Sequence, residues 1–416
     1  MKSLYPSTIV MTWALVSAGG GILAVTANAE TTDDQATSLS EAFTKGKATV
    51  SFRYRFESVD QQGFAKDAEA STLRTRLGLE TAEYKDFGLL LEFSNVSVIG
   101  SERYNSTRNN EIAYPVVADP DGTEVNQAYL RYSPEDADFI LGRQRINRDN
   151  QRFIGGVGWR QNEQTYDSVT LGGSLSNWQL DYGYIGNVNR IFGPDKGSPA
   201  EEFDSDSHIF NARFDGGSQF DLRGYGYFLD LENAPALSNS TYGVRLAGKR
   251  GEANDRLLQY ALEYAHQSDY GDNPTDYTSD YYVLELGGGI GILSARIGWE
   301  VLEGDQNRPG QQFVTPLATL HKFQGWADKF LSTPGAGIDD RYAALTAKFQ
   351  GATASVVYHE FEAESGSQSY GDEWDISLAK TFSKRHKFLL KYADYRADTF
   401  ATDTTKWWFQ YLVSFP

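Results

Sequence analysis

Residues 50–57 read VSFRYRFE, with Val50, Phe52, Tyr54 and Phe56 on one parity and Ser51, Arg53, Arg55 and Glu57 on the other. A strict period of two belongs to an extended strand, whose successive side chains point to opposite faces. One face here is apolar and aromatic, and the other is polar and carries two arginines. In a soluble sandwich the apolar face packs on a second sheet. In a transmembrane barrel it faces lipid, and the polar face lines a wet interior.

The rest of the chain chooses between the two. Leu258, Tyr260, Leu262 and Tyr264 alternate with Gln259, Ala261, Glu263 and Ala265, and Leu293, Ala295, Ile297, Trp299 and Val301 alternate with Ser294, Arg296, Gly298 and Glu300. Each run is about ten residues long, enough for a tilted strand to cross a bilayer. The spacers alternate as well. Short ones (EYKDFG, SPEDAD, GSLSN, DGGSQ, KRGEAND, GGGIG, FQGAT, FSKRHK) separate longer polar ones near 60–70, 100–122, 147–162, 188–206, 231–240, 267–279, 303–340, 362–370 and 397–404. Eight short and nine long connections imply 18 strands. The expected fold is all-β: a transmembrane antiparallel up-and-down β-barrel with short periplasmic turns and long extracellular loops. No fixed repeat supports a propeller. The closing segment TTKWWFQYLVSFP (404–416) puts Trp407, Phe409, Tyr411, Val413 and Phe415 on one face, as a lipid-facing strand requires. Such aromatic-ended strands are read by the barrel assembly machinery, an expected partner, although here Pro416 follows Phe415.

Composition agrees. Aromatics make up 14% of the chain, glycines number 40, and there is no cysteine, which removes disulfides, a thiolate nucleophile and Cys-ligated metal. At the N-terminus Lys2 precedes TIVMTWALVSAGGGILAV, ending at Ala27-Asn28-Ala29. This predicts a secretory leader over 1–29 and a mature start at Glu30. Residues 30–47 are expected as a short periplasmic segment, with Ser38 and Glu41 capping one small helix, and 48–416 as the barrel. The expected location is the outer membrane of a Gram-negative bacterium, among lipid and lipopolysaccharide.

The formal charge is −18, yet LGRQRINRDNQRFIGGVGWRQNEQTYD (141–167) holds five arginines. Strand placement puts Arg143 and Arg145 on one parity at the outer end of the fifth strand, with Arg148, Arg152 and Arg160 in the loop that follows. Arg53, Arg55, Arg74, Arg76 and Arg131 face inward from the first, second and fourth strands. Together they form a candidate ladder on the lumen wall that attracts anions and holds carboxylates. The competing reading is that they pair with acids such as Glu57, Glu80 and Glu92 and only stabilise a polar interior. Phe139 and Leu141 share the parity of Arg143, so an inward Arg143 requires a bulge or an inward apolar patch. Nucleic acid is excluded as a partner by the net charge and by the confinement of basic residues to one strip.

A second loop stands out. TPLATLHKFQGWADKFLSTPGAG (315–337) mixes aromatics with charges. Lys322, Trp326, Asp328 and Lys329 form a constriction if it folds inward; the other outcome is a loop packed on itself at the surface. Five scattered histidines lack metal-ligand spacing, and acidic stretches such as DYGDNPTDYTSD (269–280) read as solvated loop charge. No cofactor or catalytic residue is expected. His208, His266 and His359 have Ser or Asp nearby, which keeps a barrel enzyme as an alternative.

The chain resembles the alginate export family of outer-membrane barrels, on STLRTRLGLE (71–80), YPVVADPDGTEVNQAYLRY (114–132), GRQRINRDNQRFIGGVGWRQNEQTYD (142–167) and HKFQGWADKFL (321–331). It is most similar to the shorter porin-like branch. The resemblance implies an 18-stranded barrel with an arginine-rich conduit, to which Arg74, Arg76, Arg131, Arg143, Arg145 and Arg152 correspond in general character. The expected function is a passive channel for anionic small solutes or uronate-type saccharides. Export of an alginate-like polysaccharide is the alternative.

Overall fold

A computed structural model describes residues 35–217, 220–251 and 256–416. The expected leader at 1–29 lies outside them. A short helix, α1 (Leu39–Thr44), begins at Ser38, whose hydroxyl accepts the Glu41 N–H at 3.2 Å. The Glu41 carboxylate reaches back to the Thr37 N–H at 2.6 Å, one residue beyond the reciprocal box expected.

Eighteen strands follow: β1 (Lys47–Gln61), β2 (Ala68–Glu80), β3 (Phe87–Val98), β4 (Gly122–Tyr132), β5 (Ala137–Gln144), β6 (Thr165–Leu175), β7 (Trp178–Asn189), β8 (Glu202–Asp215) and β9 (Asp221–Leu229) form the first half. The second half is β10 (Asn239–Arg250), β11 (Leu257–Asp269), β12 (Thr278–Ile290), β13 (Leu293–Leu302), β14 (Ile338–Phe349), β15 (Ala352–Glu362), β16 (Ser369–Thr381), β17 (His386–Ala397) and β18 (Thr404–Phe415). Each pairs antiparallel with its sequence neighbours, and β18 closes on β1 with Val50 opposite Phe415 and Gln61 opposite Thr404. Closure is what hydrocarbon demands, because each unpaired backbone group there costs several kcal/mol.

The alternation read from the sequence is the alternation of the wall. Trp407 and Phe415 are exposed on the outside, while Trp408, one residue along, is buried inside. Aromatics band the outer surface at both ends: Tyr264, Trp299, Trp374 and Trp407 toward the long loops, and Phe87, Phe139, Trp178 and Phe349 toward the short turns. Bulges interrupt the register at Glu92/Phe93, Asp167/Ser168, Ile185/Asn187 and Phe361/Glu362.

At about 4.8 Å per strand and a tilt of about 40°, 18 strands enclose a wall roughly 35 Å across. Wall side chains alone do not fill that width. The long connections 99–121, 145–164 and 303–337 supply the filling, and the core of the molecule lies inside the barrel. Phe153 sits among Tyr225, Tyr227, Tyr281 and Phe313, with ring centroids 5.2–6.0 Å apart. Phe330 packs on Phe361 at 4.6 Å and on Phe400 at 5.2 Å. The segment 315–337 therefore folds inward and is not self-packed at the surface.

Candidate functional site

The period-two pattern of β1 and β2 turns Arg53, Arg55, Glu57, Arg74 and Arg76 into the lumen. The register places Arg53 directly opposite Arg74, a juxtaposition of like charges that costs stability unless each charge finds compensation. Arg53, only 1% exposed, spends its guanidinium on neutral oxygens of the 145–164 loop. Its Nε donates to Gln161 Oε1 at 2.9 Å, Nη1 to the Gly158 carbonyl at 2.8 Å, and Nη2 to the Arg160 carbonyl. Arg74 is 6% exposed, and its Nε and Nη1 have no hydrogen-bond partner within the protein. Among the described residues, neither arginine bonds a carboxylate.

The other arginines of this wall are paired. Arg55 donates to Gln410 Oε1 at 2.7 Å and lies 3.5 Å from Asp119, with its guanidinium 4.1 Å from the Trp159 ring. Arg76 and Arg145 converge on the buried Glu163, Arg76 at 3.2 Å, and Arg145 also touches Glu92 at 3.3 Å. Burial opposes the Glu163 carboxylate, but Arg145 and Arg76 outweigh it and hold its pKa well below the usual range. Arg160 bridges Glu57 at 3.1 Å and Asp328 at 3.0 Å. Arg152 lies 2.9 Å from Glu300 and 3.2 Å from Gln324, and Arg148 is 3.2 Å from Asp181.

Two expected positions need correction. Arg143 does not line the lumen: it shares the outward parity with the exposed Phe139 and Leu141 and forms a bidentate pair with Asp167, at 2.7 and 2.9 Å, on the outer wall. Arg145 does not share its face, because β5 ends at Gln144 and the chain has left strand geometry before Arg145. Neither a bulge in β5 nor an inward apolar patch is needed. Arg131 faces inward but sits beside the 133–136 turn, bound to Asp138 at 2.6 Å, apart from the β1–β2 group. Among the described residues these arginines form no continuous ladder.

The inward loop supplies Trp326, Asp328, Lys322 and Lys329, with partners the sequence did not suggest. Lys391 of β17, 1% exposed, stands 3.6 Å from the Trp326 ring centroid and 4.2 Å from that of Trp159. Its Nζ lies 2.7 Å from His321 Nε2, and His321 Nδ1 lies 2.7 Å from Asp328 Oδ1. An ammonium group only donates, so His321 accepts at Nε2 and carries its proton at Nδ1 toward Asp328. Burial and the neighbouring Lys391 push the His321 pKa well down, which keeps the ring neutral. The ring stacks on Trp159 at 4.2 Å. Burial opposes the Asp328 carboxylate too, but Lys406 at 2.9 Å, His321 and Arg160 hold its pKa well below normal. Trp326 N–H donates to both Glu373 (2.5 Å) and Asp375 (3.2 Å), and Ala327 N–H donates to Glu373 at 2.7 Å. Lys322 donates to the Asn150 carbonyl at 3.0 Å, and burial pulls the ammonium groups of Lys322 and Lys329 down to about 8.

A second basic row was also missed. Arg213, Arg223 and Arg245 stand opposite one another across β8, β9 and β10, each with an acid: Asp221 for the first two and Glu263 for the third. Strand parity alone would have found them and Lys391, but not their partners.

Of the histidines, His208 bonds the Tyr182 hydroxyl at 2.9 Å, His266 bonds Asp280 at 2.6 Å and His359 bonds Asp340 at 2.9 Å. Among the described residues none has a serine hydroxyl as its partner, so no Ser–His–Asp arrangement forms.

Residues 47–287, more than half of the chain, match the model of the family described as alginate export. The chain belongs to that family. No protein in the curated set matches its sequence. Among solved structures it is similar to OccAB2 of Acinetobacter baumannii, with a TM-score of 0.71 and 14% identity over 90% of this chain and 100% of that one. It is similar also to the outer membrane protein OpdK of Pseudomonas aeruginosa, with a TM-score of 0.70 and 15% identity over 90% and 99%. OpdK with vanillate superposes at a TM-score of 0.68 with 16% identity over 90% and 100%. At these identities the likeness shows the fold. Family and fold together make this chain a β-barrel of a Gram-negative outer membrane.

Proposed function

We propose that this member of the alginate export family is a passive outer-membrane channel for small anionic solutes, carboxylates or uronate-type saccharides. The observation that carries the reading is the Arg53–Arg74 pair: two buried guanidinium groups face each other without a carboxylate, and Arg74 keeps Nε and Nη1 unbonded. A guanidinium group is a planar donor that matches a carboxylate through its Nε/Nη2 or its Nη1/Nη2 edge. The other arginines facing the lumen from β1, β2 and the 145–164 loop are engaged by protein acids or by oxygens of the loop, so anion selection rests on one station rather than on a track. The structure of OpdK with vanillate, an aromatic carboxylate, is in keeping with this chemistry. Loops that cross the lumen favour short solutes over a polymer. Reconstitution in planar bilayers tests the reading. Anion preference in the reversal potential, with liposome swelling faster in glucuronate than its size and charge alone allow, is the expected result. A silent or cation-preferring bilayer overturns it.

A further inference from the structure

Three loops that are distant in sequence each deliver one charge to the same corner of the wall, where β18 meets β1. Asp119 of 99–121 lies 3.5 Å from Arg55, Arg160 of 145–164 lies 3.1 Å from Glu57, and Asp328 of 303–337 lies 2.9 Å from Lys406. Arg160 and Asp328 also bond each other at 3.0 Å, and Asp119 Oδ1 accepts the Gln161 N–H at 2.8 Å, so the loops are tied together as well as to the wall. The loops 145–164 and 303–337 share further bonds: Gly155 N–H to the Leu317 carbonyl and Thr319 N–H to the Gln151 carbonyl, at 2.9 and 3.0 Å. On the β9–β12 side the same two loops are held by rings, Phe153 and Phe313 against Tyr225, Tyr227 and Tyr281. That side thus combines ring packing with the Arg152–Glu300 and Arg223–Asp149 ion pairs, whereas at the β18–β1 corner buried charges tie all three loops to the wall and 145–164 to 303–337.

We propose that these loops form a single strap across the lumen, hinged on the aromatic cluster at β9–β12 and latched at the β18–β1 corner by the Arg160–Asp328 pair and its wall partners. Breaking a buried ion pair is strongly destabilising, because it leaves the partner as an uncompensated buried charge that gains by moving toward water. Releasing the latch frees 145–164 and 303–337 together and widens the passage. The inference rests on the channel reading for its consequence, but the latch itself can be read without conduction.

Because the chain has no cysteine, Ala327→Cys places a lone thiol at a position 2% exposed, next to the latch. In liposomes it is expected to react slowly with an aqueous maleimide. Adding Arg160→Gln with Asp328→Asn, which removes the cross-link while keeping shape, is expected to speed labelling at least tenfold and to raise single-channel conductance about twofold. Heat-modifiable migration on gels confirms that each variant has closed its barrel; if the double variant does not close, Asp328→Asn alone carries the measurement. Unchanged labelling in a folded variant overturns the latch, whatever the conductance. Faster labelling with no current in either protein keeps the latch and removes the channel reading.

Discussion

Arg53 stands directly opposite Arg74 across the β1–β2 pair, and neither guanidinium bonds a carboxylate. Arg53 is quieted by neutral oxygens of a loop, while Arg74 is left with two free donors. The first prediction follows from this asymmetry. Arg74→Gln is expected to lower anion preference strongly, several-fold in the permeability ratio, with little effect on stability because no protein bond is lost. Reversal potentials in a salt gradient, beside thermal unfolding in detergent, measure both. A strong loss of stability with unchanged selectivity would make Arg74 structural.

Arg143 gives the opposite expectation. Its bidentate bond to Asp167 lies on the outer wall and is part exposed, where such pairs contribute under about 1 kcal/mol. Arg143→Gln is expected to leave ion selectivity unchanged and to lower the unfolding midpoint slightly. A shift in selectivity would return this residue to the lumen.

Titration of Lys322 and Lys329 sets the pH dependence. Burial disfavours their charged forms and brings both to about 8. Their folded values lie below the ordinary lysine value, so the loop gains stability as pH rises from about 8 toward 10.5, while the folded lumen loses their positive charge around pH 8. Anion preference is expected to fall between pH 7 and 9. Lys322→Gln with Lys329→Gln is expected to abolish that step, and bilayer recordings at the two pH values check it.

Leu389 and Leu390 are chemically identical neighbours on opposite faces of the wall: Leu390 is 50% exposed on the outside, opposite Phe409, while Leu389 pairs with Gln410 on the lumen side. Leu390→Arg is expected to cost about 2–4 kcal/mol in lipid, and Leu389→Arg much less. Equilibrium unfolding in bilayers compares them, and equal costs would contradict the assigned faces.

The comparison of Arg143 with Arg145 shows how far the sequence reaches. Strand number, the alternation of short turns with long loops, and the faces of the runs in β1, β11, β13 and β18 were legible, because they follow from a two-residue backbone period and from the need to satisfy backbone groups in hydrocarbon. The end of β5 was not legible, since period two carries no mark where a strand stops, and so Arg145 was placed on one face with Arg143, which was itself put inward against the parity of Phe139 and Leu141. Nor could the sequence say that 303–337 turns inward or that Arg74 keeps Nε and Nη1 without a hydrogen-bond partner. Those outcomes depend on partners such as Glu57 and Arg160, 103 positions apart, or Arg160 and Asp328, 168 apart. Local periodicity determined the cylinder. Only the folded chain decided which charges inside it cancel, because cancellation depends on distances that loop closure sets and no local pattern encodes.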